Sequence, residues 1–173
     1  MNDAPATLAP AVRSLVERLA LAPHPEGGFY RETWRSPVVL APDALPHGYP
    51  GPRAAMTSIL FLLPTGVASA LHRVRSEELW LHHQGDDVAL GIGPTLEAAG
   101  VASGRSLLGQ GASASLQAIV PAGHWQTATA LEGRAGYALV GCVVAPGFDF
   151  ADFEMADFEM ADAGTRDAGR AGD

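Results

Sequence analysis

Apolar and polar positions repeat with two different periods along this chain. Between Thr7 and the breaker Pro23, Leu8, Val12, Leu15, Val16 and Leu19 recur three and four residues apart, the spacing that lines up on one face of a helix. The pattern predicts one amphipathic helix over about residues 8 to 21, with Thr7 as its N-cap. From residue 29 the period drops to two. Tyr30, Glu32 and Trp34 alternate with Phe29, Arg31 and Thr33, which puts the two sets on opposite faces of a strand. The Pro25-Glu26-Gly27-Gly28 that precedes it is turn punctuation.

Residues 41–53, with Pro42, Pro46, Gly48, Pro50, Gly51 and Pro52, read as loop. Met56 to Leu63 is an apolar run apart from Thr57 and Ser58, as expected of a strand covered on both faces. Val88 to Ile92, Arg105 to Leu108, Leu116 to Val120, His124 to Ala130 and Tyr137 to Val144 follow as short strands between Gly- and Pro-rich turns. Many short strands and a single helix predict an all-β sandwich or barrel.

The polar chemistry concentrates in residues 66–85, GVASALHRVRSEELWLHHQG. On an extended chain Glu78, Trp80 and His82 share one face, while Glu77, Leu79, Leu81 and His83 share the other. With His72 on the preceding strand of a hairpin and facing inward, an imidazole and the Glu78 carboxylate meet inside, beside the Trp80 indole. A dry pocket with a few convergent polar groups is the usual form of a small-molecule site.

Composition narrows the function. The chain has 173 residues, enough for one domain with a substantial core. A single cysteine, Cys142, excludes an internal disulfide and reads as a small buried hydrophobe. All eleven basic residues are arginine, which excludes lysine Schiff-base chemistry, a P-loop lysine and pyridoxal phosphate attachment. The net charge of -8 is concentrated at the end: from Asp149 onward eight acidic residues face two arginines, leaving about -2 for the body. A nearly neutral body without a basic cluster argues against nucleic acid. No stretch approaches the ~20 apolar residues of a membrane-spanning helix, and no basic-then-apolar leader opens the chain, so no membrane partner and a cytoplasmic location are expected. ADFEM at 151–155 is repeated at once at 156–160. Expected domain bounds are a disordered N-terminus over 1–5, one domain over 6–155 and an acidic disordered tail over 156–173.

Four segments, HPEGGFYRETWRS at 24–36, HRVRSEELW at 72–80, VPAGHWQ at 120–126 and VGCVVAPGFDFADFE at 140–154, together resemble the cupin superfamily, and within it the cupin type 5 or DUF985 family. The resemblance implies a double-stranded β-helix jelly roll, a homodimer and a pocket inside the roll, without a settled activity. Metal-binding cupins use two histidines and a glutamate from a first motif and a histidine from a second. Here those positions hold His72, Val74, Glu78 and Gln126, so no metal or other cofactor is expected, with His72, Glu78 and Gln126 as weak candidates for a divalent ion.

Two functions of different class fit the resemblance. In the first, the chain is a small-molecule-binding cupin that holds a small polar or anionic, sugar-like ligand through Trp80, His82, Gln126, Arg31 and Trp125. In the second it is a metal-independent isomerase or epimerase, with His72 as general base, Glu78 as its orienting partner and Tyr30 as the acid. A tyrosine opposite His72 would favour the enzyme, and a pocket lined on one side only would favour the binding module.

Overall fold

The computed structural model describes residues 8–101 and 105–156. The expected disorder over 1–5 lies outside that range, as does that over 156–173 except for Ala156, whose N–H donates to the Leu71 carbonyl at 2.8 Å.

One helix, α1 (Pro10–Leu19), opens the described chain. Its apolar stripe is the predicted one, but it starts at Pro10 behind Ala9, with proline in the first turn where a missing N–H costs nothing. Thirteen strands follow among the described residues: β1 (Ala22–Pro23), β2 (Phe29–Arg35), β3 (Val39–Leu40), β4 (Arg53–Ala54), β5 (Thr57–Pro64), β6 (His72–Val74), β7 (Glu77–Gly85), β8 (Val88–Gly93), β9 (Ser106–Leu108), β10 (Gln117–Val120), β11 (Trp125–Ala130), β12 (Tyr137–Ala145) and β13 (Phe153–Met155). A second helix, α2 (Leu96–Gly100), occupies the connection after β8, where the Thr95 hydroxyl accepts from the Ala98 N–H.

The strands form a six-stranded sheet, β1-β2-β5-β12-β7-β10, and a five-stranded sheet, β13-β6-β11-β8-β9, with β3 and β4 paired apart. All these pairings are antiparallel. The two sheets enclose a core of Phe61, Leu63, Trp80, Leu90, Val140 and their neighbours. The outer face of the larger sheet is covered by α1, whose Val12 and Leu15 pack on Leu62 and Leu139. Strand β5 is thus covered on both sides, which is why its sequence is apolar from Ile59 to Leu63.

Two expectations about strand geometry change. β6 and β7 do not pair as a hairpin: β6 lies between β13 and β11, and β7 between β12 and β10. His72 and Glu78 therefore belong to opposite sheets. In β2 a register shift falls between Glu32 and Trp34. An extra residue on one strand flips the facing of everything after it, so Arg35 rather than Trp34 joins Tyr30 and Glu32 on the inner side, and Trp34 is left 46% exposed.

The approach to β2 depends on Gly28, whose φ of +70° closes a turn in which the His24 N–H donates to the Gly28 carbonyl (3.0 Å). A Cβ here would lie 2.6 Å from the Leu62 carbonyl oxygen. Gly28→Ala is expected to lower the unfolding free energy by about 1–3 kcal/mol, from left-handed strain and the clash with backbone. Urea titration checks this; an unchanged midpoint would show that the 24–28 turn relaxes freely.

Candidate functional site

A cavity of about 320 Å³ opens between the two sheets. Its walls come from seven places in the chain. The turn before β2 supplies His24 and Glu26; β2 supplies Tyr30, Glu32 and Arg35; β5 supplies Thr57, Ile59 and Phe61. Glu78 of β7, Val74 of β6, and Cys142 and Val144 of β12 line the interior, and Phe148, Asp149 and Phe150 stand beyond β12.

Glu78 reaches the cavity by strand parity. On β7, Glu78, Trp80 and His82 are buried while Glu77 and His83 are exposed, as alternation predicts. A buried carboxyl needs donors. Glu78 receives one from Gln126, whose Nε2–H donates to Oε2 at 2.6 Å, and the Gln126 Oε1 in turn accepts from the Trp80 Nε1–H at 3.0 Å. Gln126 is fully buried. Burial raises the Glu78 pKa, while Gln126 and the Cys142 thiol, which donate to it, pull it back.

Glu26 is the second carboxyl. Its side chain is 9% exposed, with Oε1 lying 3.4 Å from Nε2 of His72 and 3.8 Å from Nδ1 of His24. The hydrogen bonds set both tautomers. Nδ1 of His72 lies 2.7 Å from the Ala70 carbonyl, which can only accept, so that nitrogen carries the proton and Nε2 presents a lone pair to Glu26. Nδ1 of His24 accepts from the Glu26 N–H at 3.2 Å and is likewise a lone pair. The Ala70 N–H donates to the Glu26 carbonyl at 2.7 Å, which fixes the turn against β6.

Burial decides the charges. His72 and His24 are both lowered to about 4 by desolvation, so both are neutral near pH 7. Glu26 is raised well above the ordinary carboxylate range by desolvation and by the Glu78 charge beside it. The 3.4 Å approach of His72 to Glu26 is therefore a neutral carboxyl-to-imidazole contact, not an ion pair. Cys142 is raised well above the usual thiol range, first by burial, consistent with an inert small hydrophobe rather than a nucleophile.

The structure distributes the predicted residues unevenly. Tyr30 and Glu78 line the cavity. His72, 2% exposed, stands behind Glu26. Trp80 and Gln126 lie behind Glu78 as its hydrogen-bonded support. Arg31 sits between the inward Tyr30 and Glu32, and neighbours on a strand face opposite ways, so it is exposed and outside the lining. The same alternation turns Trp125 away from its neighbour Gln126 and places it 4.8 Å under the Arg73 guanidinium. His82 faces inward, but four residues beyond Glu78, about 13 Å along the strand, with Nε2–H donating to the Asp86 carbonyl at 3.1 Å.

Sequence reasoning passed over His24 and Glu26. The only signal for them was the Pro- and Gly-rich run around them, which reads as turn chemistry; the close approach of that turn to β6 is a long-range contact with no local signature.

His72, Glu78 and Gln126 as placed do not fit a transition ion. The Gln126 oxygen is spent on Trp80, its amide N–H groups point at Glu78, and His72 belongs to Glu26. Among the described residues no three His, Cys, Asp or Glu side chains converge at a geometry suited to a metal. The chemistry this arrangement supports is hydrogen bonding and proton transfer.

Comparison with known proteins agrees with this architecture. A family model described as "Cupin superfamily (DUF985)" matches residues 13–156. A crystal structure of a protein from Shewanella oneidensis is 32% identical, with 87% of each chain covered and a TM-score of 0.71. A hypothetical protein from Leishmania major is also 32% identical, over 90% of this chain and 94% of that one, with a TM-score of 0.71. An uncharacterized double-stranded β-helix protein from Klebsiella pneumoniae, 14% identical with a TM-score of 0.52 over 88% of this chain and 98% of its own, shares the fold. Among curated proteins none matches this chain. From the match over residues 13–156 and the two relatives at 32% identity, the chain belongs to the cupin superfamily, in its DUF985 family.

Proposed function

We propose that this cupin binds a small molecule in the cavity of its roll and moves a proton on it, as an isomerase-type enzyme does. The observation that carries the reading is the pairing of two buried carboxyls, Glu26 and Glu78, in one cavity with unequal environments. Glu78 has donors for its anion in Gln126 and Cys142. Glu26 faces only lone pairs and the Glu78 charge. Unequal surroundings separate the two into a base and an acid: Glu78 takes a proton from the ligand, and Glu26 returns one.

His72 acts through Glu26. Its Nε2 lone pair faces the Glu26 carboxyl at 3.4 Å from behind the cavity wall, and Ala70 keeps the tautomer fixed. His72 is thus a positioning residue rather than the base. Tyr30, from the opposite sheet to His72, lines the same space with its ring edge-on to His24 at 4.4 Å. Apart from Val74 of β6, every strand residue of the lining belongs to the six-stranded sheet, so turnover is supported by the carboxyl pair and not by walls from both sides.

The test is deuterium uptake. In D2O, the chain is expected to accelerate exchange at the carbon beside the carbonyl of small ketones such as hydroxyacetone and aminoacetone, followed by proton NMR. Glu26→Gln and Glu78→Gln should each slow that exchange about 10²–10⁴-fold. A chain that binds a ketone without accelerating exchange would be a binding module.

The same protonation states set how stability varies with pH. His24 and His72 have folded values near 4 against 6.5 unfolded, so their contribution is complete above 6.5 and is lost as pH falls toward 4, at most about 3 kcal/mol each. Glu26, raised on folding, has the opposite sign: its contribution is complete below the unfolded value of 4.5 and is lost as pH rises through the folded value. In the parent the two trends oppose each other above pH 4.5. Glu26→Gln is expected to steepen the gain in stability between pH 4.5 and 6.5, measured by urea unfolding across that range; an unaltered slope would mean that Glu26 is an ordinary carboxylate.

A further inference from the structure

The chemical class of ligand follows from what the cavity lacks. The two ring nitrogens that approach the Glu26 carboxyl, Nδ1 of His24 at 3.8 Å and Nε2 of His72 at 3.4 Å, both present lone pairs. None of the described residues donates a hydrogen bond to this side chain, although it is nine-tenths buried and lines the cavity. An acceptor without a protein donor that opens on a cavity is a seat for a donor carried by the ligand.

The charge balance points the same way. Four carboxyls line the cavity, Glu26, Glu32, Glu78 and Asp149, against one cation, Arg35. Arg35 is already committed: Nε and Nη2 donate to Glu32 at 3.0 and 2.6 Å, and Nη1 donates to the Phe148 carbonyl at 3.3 Å. The other arginine near this end, Arg53, is tied to Asp152 at 2.6 Å and does not line the space. An anionic ligand would find only a cation whose charge Glu32 already matches. A cation would find carboxyls at the inner end and the rings of Tyr30, Phe61, Phe148 and Phe150 along the walls, the faces over which a desolvated cation is held.

We infer that the pocket takes a small cation with N–H donors, a protonated amine, whose ammonium seats against Glu78 and Glu26. The inference rests on the acid–base reading above in assigning the single negative charge to Glu78. The ammonium supplies the counter-charge that lets Glu78 ionise, and the Glu78 charge then keeps the proton on Glu26. Burial holds both carboxyls toward the neutral form, so uptake of the cation releases a proton from Glu78.

A matched charge series tests it by binding alone, independently of turnover: benzylamine, benzyl alcohol and benzoate, with butylamine, butanol and butyrate as a second skeleton, each titrated by calorimetry at pH 7. The ammonium member of each series is expected to bind about tenfold more tightly than the alcohol, the difference between a charge-assisted and a neutral hydrogen bond, and benzoate and butyrate not at all. Its binding enthalpy should change with the ionisation enthalpy of the buffer, because a proton leaves. Glu78→Gln should erase both the preference and the proton release. Equal or tighter binding of the alcohol or the carboxylate by the parent overturns the cation assignment while leaving the exchange experiment free to support the acid–base pair. Ketone exchange that fails, with ammonium preference intact, sinks the acid–base reading and leaves the cation site standing. No binding by any member at millimolar concentration overturns the cation site.

Discussion

Burial of the Glu78 carboxyl is the constraint on which the rest of the pocket depends. A carboxyl taken out of water must either keep its proton or find donors. Here the donor is the Gln126 amide, reached across the gap between the two sheets at 2.6 Å, and the amide is oriented because the Trp80 indole N–H takes its oxygen at 3.0 Å. Trp80 and Glu78 come from β7 and Gln126 from β11, so this chain of three side chains pins one sheet against the other where the cavity begins. A residue at position 126 that could not both donate and accept would leave either the indole or the carboxyl unpaired inside the core.

Around that pin, the site is assembled from acceptors. Glu26 is brought in by a turn that Gly28 closes and that the Ala70 N–H ties to β6. His72 and His24 approach it with lone pairs, because their other contacts have already set where the ring protons sit. Burial consequently biases Glu26 and Glu78 toward the neutral form, and the chemistry of the pocket is that of protons and hydrogen-bond donors. Toward the C-terminal end the wall is aromatic: Phe148, Phe150 and Phe153 pack edge to face within about 6 Å of one another, and Phe153 also leans on the His72 ring at 5.5 Å. Asp152, bonded through both oxygens to Arg53, holds this segment to the body.

Much of the fold was legible because period-two alternation is a local signal. The parity of β7 put Glu78, Trp80 and His82 inward and Glu77 outward, and burial follows it residue by residue. The apolar run of β5 announced a strand covered on both faces. Where local pattern misled, the cause was an irregularity or a partner far away in sequence. The register shift in β2 exchanged Trp34 for Arg35. His72 and Glu78 looked like hairpin partners because they are six residues apart, yet the turn between them crosses from one sheet to the other. Trp125 and Gln126 were both assigned to the pocket, which alternation by itself forbids.

The sequence alone therefore determined the strand faces, the helix stripe, the family and the substitution of glutamine for a second-motif histidine, since each depends on residues near one another in the chain or on motifs that keep their order. Only the tertiary structure decided which ionisable groups meet. Glu26 and His72 are separated by more than forty residues, and nothing in the motif that carries Glu26 says which groups it will meet. Their meeting, the loss of water around them and the resulting shift of both toward neutrality arise when two sheets close over a common interior, and desolvation is a property of that enclosure rather than of any local stretch of chain.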